Sequence, residues 1–109
     1  MINVAKHNLI TIRKILQKCA PDCEVRAFGS RVNGTAKSYS DLDLAIIGKE
    51  KIKRTTKSSL RRAFEESKLP FRVDVLDYNA ISKQFQAIVD KQYEVIQEKP
   101  GKKKDPGER

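Results

Sequence analysis

The chain has 109 residues, 39% of them hydrophobic and 34% charged, which is enough apolar content for one domain with a modest core. Lys and Arg outnumber Asp and Glu by 23 to 14, a formal charge of +9 that favours polyanionic partners: nucleotides, RNA or an acidic protein face. No stretch has the apolar length needed to cross a membrane, and residues 1–7 lack the apolar core of a signal peptide, so a cytoplasmic location is the default expectation.

Residues 3–19 read as a helix, because Leu9, Ile12, Ile15, Leu16 and Cys19 recur at steps of three and four and form one apolar stripe. Pro21 ends it. Residues 23–28 alternate as a short strand, with Cys23, Val25 and Ala27 opposed to Glu24 and Arg26. Gly29-Ser30 breaks that strand, residues 31–36 read as a short helical turn, and residues 37–40 as a loop. Residues 41–47 form a second strand with Leu42, Leu44 and Ile46 on one face, ended at Gly48. Residues 51–67 are the most basic helix: Ile52, Thr56, Leu60, Ala63 and Phe64 share one face, while Lys53, Arg54, Lys57, Arg61 and Arg62 take the other. Pro70 separates it from a third strand at residues 71–77. Asn79 is the expected N-cap of a last helix running to about residue 97, with Ile81, Phe85, Ile88, Val89 and Ile96 as its buried stripe. Residues 98–109 have no apolar side chain and are expected to be a basic, disordered tail after a domain spanning residues 1–97.

The order of elements predicts an α/β (α+β) fold. If Gly29-Ser30 at the end of strand one and Asp41 at the start of strand two share a site, those strands run antiparallel, and the long helix joining strands two and three gives a parallel or mixed pairing with a right-handed crossover. The result is a small mixed β-sheet with helices packed on one side. Cys19 and Cys23 have no further ligands for a zinc site, since the only histidine is His7, and both read as apolar packing residues.

The chemistry sits between Gly29 and Asp43. Ser30 is followed by ten residues and then Asp41-Leu42-Asp43. On a strand, residues i and i+2 project to the same face, so Asp41 and Asp43 stand side by side. Two adjacent carboxylates repel unless a cation sits between them, and Mg²⁺ favours oxygen ligands shared with substrate phosphates. Gly29 and Ser30 precede the pair and offer a backbone N–H and a hydroxyl to phosphate oxygens. A third carboxylate, Asp74, lies mid-strand between Val73 and Val75, where a charge is costly unless something binds it. Asp77 lies at the strand end, where a turn or cap accounts for it.

Gly-Ser, a spacer and Asp-x-Asp, with a carboxylate on a later strand, resembles the signature of the DNA polymerase β-like nucleotidyltransferase superfamily. The spacer and the short chain are similar to its minimal nucleotidyltransferase branch, many of whose members are antitoxins paired with a helical HEPN toxin. The resemblance implies a polymerase β palm-like core. It implies Asp41, Asp43 and Asp74 as catalytic residues and Mg²⁺ ligands, and Gly29 and Ser30 as holders of the outgoing phosphates of a nucleoside triphosphate. Arg31 either assists with charge or stands as a surface arginine. Family members often carry Arg at the position of Asn33, so a phosphate contact from that side chain is not carried over. The implied activity is transfer of AMP from ATP to a hydroxyl, a tyrosine, of a HEPN toxin. The competing reading is an antitoxin or binding module that neutralises its partner by contact alone. A nucleic-acid-binding role for the basic helix ranks last, because its one aromatic, Phe64, lies on the apolar stripe.

Overall fold

A computed structural model describes residues 2–100. Its elements are α1 (Lys6–Cys19), β1 (Glu24–Phe28), α2 (Ser30–Asn33), β2 (Leu42–Ile47), α3 (Arg54–Glu65), β3 (Val73–Asp77), a 3-10 turn (Tyr78–Ala80), α4 (Lys83–Lys91) and β4 (Tyr93–Gln97). The four strands lie in the order β3-β2-β1-β4. β1 is antiparallel to both β2 and β4, whereas β2 and β3 run parallel with α3 as their crossover. Among the described residues no helix is long and apolar enough to cross a membrane.

Strand alternation sends two sets of side chains to opposite faces. Val25, Ala27, Leu42, Leu44, Ile46 and Val75 pack with Ile12 and Leu16 of α1 and Leu60 and Phe64 of α3. Phe28, Ala45 and Leu76 face the other way, under Phe85 and Val89 of α4. The two long helices thus share one side, as expected for the fold class, and the shorter α4 adds cover on the opposite side. Arg26 ties that cover down. Its Nε donates to Glu24 Oε2 at 2.8 Å and its Nη1 to Asp90 Oδ1 at 2.6 Å, while its guanidinium lies 4.3 Å from the Tyr93 ring centroid. Of the basic set on α3, Arg54, Arg61 and Arg62 are exposed, as is Lys53 before the helix, while Lys57 is half-buried.

The last helix is shorter than the sequence predicts. It stops at Lys91, and Tyr93–Gln97 pairs with β1 instead. Ile96 is buried as expected, but from a strand, and Ile88, placed in the apolar stripe by periodicity, is 63% exposed. The cap also differs: Ser82 Oγ accepts from Phe85 N–H at 3.1 Å, whereas Asn79 sits in the 3-10 turn and donates Nδ2 to Gly48 O at 2.9 Å. Of the expected tail, residues 101–109 lie outside the described residues.

The strand assignment separates two isoleucines that one continuous helix would treat alike. Ile96→Ala should cost about 2–4 kcal/mol in urea unfolding, since it opens a cavity at a buried site. Ile88→Ala should stay within about 0.5 kcal/mol. Equal losses at both positions would contradict the β4 assignment.

Candidate active site

Register places the key side chains. Phe28 is the Cα partner of Asp43 across β1–β2, Asp43 partners Asp74 across β2–β3, and Phe28 partners Tyr93 across β1–β4. Cross-strand partners share a face, so Tyr93, Phe28, Asp43 and Asp74 form one row across the sheet on the side of α4. Asp41, just before β2, is exposed, whereas Asp43 and Asp74 are half-buried. Burial and then the charges of Asp74 and Asp41 push the Asp43 carboxyl up to about 6. The three carboxylates are therefore close enough to feel one another. Among the described residues no three His, Cys, Asp or Glu side chains close into a ready-made metal cluster. Strand pairing sets Asp43 against Asp74, and chain continuity keeps Asp41 beside them.

The Gly29-Ser30 turn borders this row. Gly29 has φ +83°, a conformation that disfavours any residue with a Cβ, and a Cβ there would overlap the Asp43 carboxylate. Glycine is thus needed twice over, for the turn and for clearance. Ser30 opens α2 and is half-buried, and its hydroxyl has no protein partner among the described residues. Hard oxygen donors that repel one another, beside a free hydroxyl on a glycine turn, are a donor set that suits a divalent cation carrying phosphate.

Arg31 has a different job from the phosphate role suggested by the sequence. It is 5% exposed. Nε donates to Ser40 O at 2.9 Å, Nη1 to Asn3 O at 2.8 Å and Nη2 to Ser38 O at 3.0 Å, and the guanidinium lies 4.2 Å from the Phe71 ring centroid. Swinging out to a phosphate would break all of these hydrogen bonds and give up the buried guanidinium's packing on Phe71. The side chain braces the loop that delivers Asp41. Asp77 is also structural. It is buried, with Oδ2 accepting from Ile52 N–H at 3.0 Å and Oδ1 from Asn79 N–H at 3.1 Å.

The chain is similar to several known proteins. The family described as polymerase beta, nucleotidyltransferase, matches residues 11–101. A protein of Haemophilus influenzae named probable protein adenylyltransferase MntA is 49% identical over 98 residues, covering 90% of this chain and 86% of its own. The fold is similar to that in a crystal structure of a toxin-antitoxin with AMP-PNP, with TM-score 0.71 and 24% identity, over 87% of this chain and 77% of that one. It is also similar to a complex of tri-AMPylated Shewanella oneidensis HEPN toxin with MNT antitoxin, with TM-score 0.63 and 22% identity, over 84% of this chain and 70% of that one.

The raised Asp43 pKa has a stability consequence. A carboxyl at about 6 in the folded chain, against 3.8 ordinarily, costs almost nothing below pH 4; the cost grows as pH rises from there to about 6 and levels off above it. In metal-free buffer Asp43→Asn should therefore stabilise the protein at pH 7–8 by about 1–2 kcal/mol, discounted for the site's partial exposure. The gain should vanish near pH 4. Thermal unfolding of both proteins across that range checks it, and a destabilised variant at pH 8 would contradict the crowding of charges.

Proposed function

Because this chain belongs to the polymerase beta nucleotidyltransferase family, we propose that it transfers AMP from ATP to a tyrosine hydroxyl of a helical HEPN-type toxin and so acts as an antitoxin. The observation that carries the reading is the pairing of Asp43 with Asp74 across β2–β3, next to Asp41 and against Gly29. The name of the Haemophilus influenzae relative supports a protein acceptor. The AMP-PNP complex and the AMPylated HEPN toxin among the similar structures support ATP and that class of partner. Such chemistry belongs in the cytoplasm, where ATP is abundant. Residues 1–97 form the catalytic unit in this reading, with 98–109 as an appendage.

Asp41, Asp43 and Asp74 would hold Mg²⁺, which supplies positive charge to the phosphate oxygens when bound. Ser30 Oγ and the backbone of the glycine turn receive the outgoing phosphates. The acceptor oxygen bonds to the α-phosphorus, the bond from that phosphorus to the α,β-bridging oxygen breaks, and pyrophosphate leaves. The hydroxyl proton passes to Asp74, the carboxylate on the far side from Ser30. In-line displacement requires this layout, with nucleophile and leaving group on opposite sides of the phosphorus.

Incubation of the partner with this protein, ATP and Mg²⁺ should add AMP to a partner tyrosine, read as a mass gain on the intact protein and by fragmentation. Asp41→Asn, Asp43→Asn and Asp74→Asn should each slow labelling by about 100-fold or more while still co-purifying with the partner. Undiminished labelling by all three variants would refute the assignments. Full neutralisation of the toxin by unlabelling variants would favour inhibition by contact.

A further inference from the structure

β2 starts at the reaction centre and ends away from it. Asp43 lies near one end, and residues 48–53 follow the other, about 15 Å further along the strand. Two grooves meet there, around the start of α3. One, of about 680 Å³, runs between the end of α1 and α3 and is lined by Lys18, Arg54 and Arg62, with Glu66 among them. The other, of about 630 Å³, is lined by Lys49, Lys51, Lys53 and Lys99, with Asp22 and Glu50. Cys19 and Thr56 line both, so the grooves adjoin.

This surface is positive on balance, with seven cations against three carboxylates. Lys99 is half-buried and the other six cations are exposed. None of the seven makes an ion pair or hydrogen bond among the described residues. In sequence the chain goes on from Lys99 with Lys102, Lys103 and Lys104. Thr55, Ser58 and Ser59 stand exposed between Arg54 and Arg62, and their hydroxyls are also unpartnered among the described residues. Lysine, arginine and hydroxyl side chains are the groups that contact nucleic-acid phosphates. Arg54 and Arg62 are two turns apart, about 12 Å along α3, which suits successive phosphates of a strand better than one small anion.

A protein partner fits this surface less well. Protein interfaces centre on apolar and aromatic side chains with few charges. None of the exposed large hydrophobics, Ile10, Tyr39, Ile88 and Tyr93, lines either groove. The same lack of an exposed aromatic disfavours single strands, whose bases need stacking platforms.

We propose that the adjoining grooves are a docking surface for the phosphate backbone of a nucleic-acid duplex, read by charge and not by base sequence. The surface is separate from Asp41, Asp43 and Asp74, and it stands independently of adenylyl transfer. Binding there leaves the carboxylates free.

The test uses short fluorescein-labelled duplexes of RNA and of DNA, each in two unrelated sequences. Binding to the full chain is read by anisotropy in EDTA, so that no metal bridges phosphate to the carboxylates. Duplexes should bind with a dissociation constant of about 1–10 μM at 50 mM NaCl, alike for both sequences within about threefold. Binding should weaken about 100-fold by 200 mM NaCl, as counterions leave about four phosphates. Whichever of RNA and DNA binds tighter identifies the source. Arg54→Glu with Arg62→Glu should weaken binding about tenfold or more at an unchanged melting curve, since both side chains are exposed and unpaired. Lys18→Gln with Arg54→Gln and Arg62→Gln, which only removes charge, should lower the salt slope by about three. Lys83→Glu with Lys91→Glu makes the same change in net charge on exposed positions of α4, and should leave affinity within about threefold. The proposal is overturned by no duplex binding at 50 mM NaCl, by an equal loss in the α4 variant, or by a tenfold preference between sequences. A single strand or a labelled polyglutamate that binds as tightly as the duplexes overturns it as well.

Discussion

The site depends on a like-charge pair that strand register forces together. Asp43 and Asp74 are direct partners on parallel strands, a placement that repels in the absence of a cation. What holds them is the other face of the same strands. Leu42, Leu44 and Val75 are almost completely buried against α1 and α3, and slipping either strand by one residue would turn those side chains out and the carboxylates into the core. Hydrophobic burial at alternate positions therefore offsets the local repulsion. The protein keeps a destabilising cluster where charge is needed, as functional sites commonly do.

A second constraint acts on the loop that carries Asp41. The loop must be ordered although residues 37–39 are exposed. Arg31 provides the order from beneath, by linking Ser38 and Ser40 to Asn3 of the N-terminal segment and stacking on Phe71. Asn3 N–H donates back to Arg31 O at 2.6 Å, so the brace is mutual. Asn33 locks the same turn: its Oδ1 accepts from both the N–H and the hydroxyl of Thr35, at 3.0 and 2.6 Å. A residue seen from the sequence as a charge for phosphates thus serves the shape of the site.

The legible parts of the chain were those where one physical rule acted alone. The stripe of α1, the alternation of β1 and β2 and the apolar face of α3 follow from periodicity; the antiparallel β1–β2 pair followed from placing Gly29-Ser30 and Asp41 at one site, and the parallel β2–β3 pair is one of the pairings that a helical crossover allows. The α4–β4 region was misread because two rules coincide there. Ile88 and Ile96 fall in helical phase with Ile81, Phe85 and Val89, while residues 93–97 also alternate, and no Gly or Pro separates them. Pairing with β1 decides the matter, and it is a contact that no local pattern encodes. At the candidate site, spacing singled out Asp41, Asp43 and Asp74 in advance, and register then sets Asp43 against Asp74. The burial of Arg31 was hidden because its carbonyl partners come from two separate segments, the loop at residues 37–40 and Asn3 near the N-terminus. The clearance role of Gly29 was hidden because it depends on where Asp43 lands.

β4 also shapes the sheet around the site. By pairing with β1, it fills the edge next to the Gly29-Ser30 turn and brings Tyr93 into the row with Phe28. Arg26 then clamps Tyr93 and α4 together over that half of the sheet. That half of the sheet is thereby covered by α4 and closed by β4. The opposite half ends at β3, bordered by a cleft rather than another strand. The sheet is thus asymmetric about the Asp43–Asp74 pair, with β1 and β4 on one side of it and no strand beyond β3 on the other.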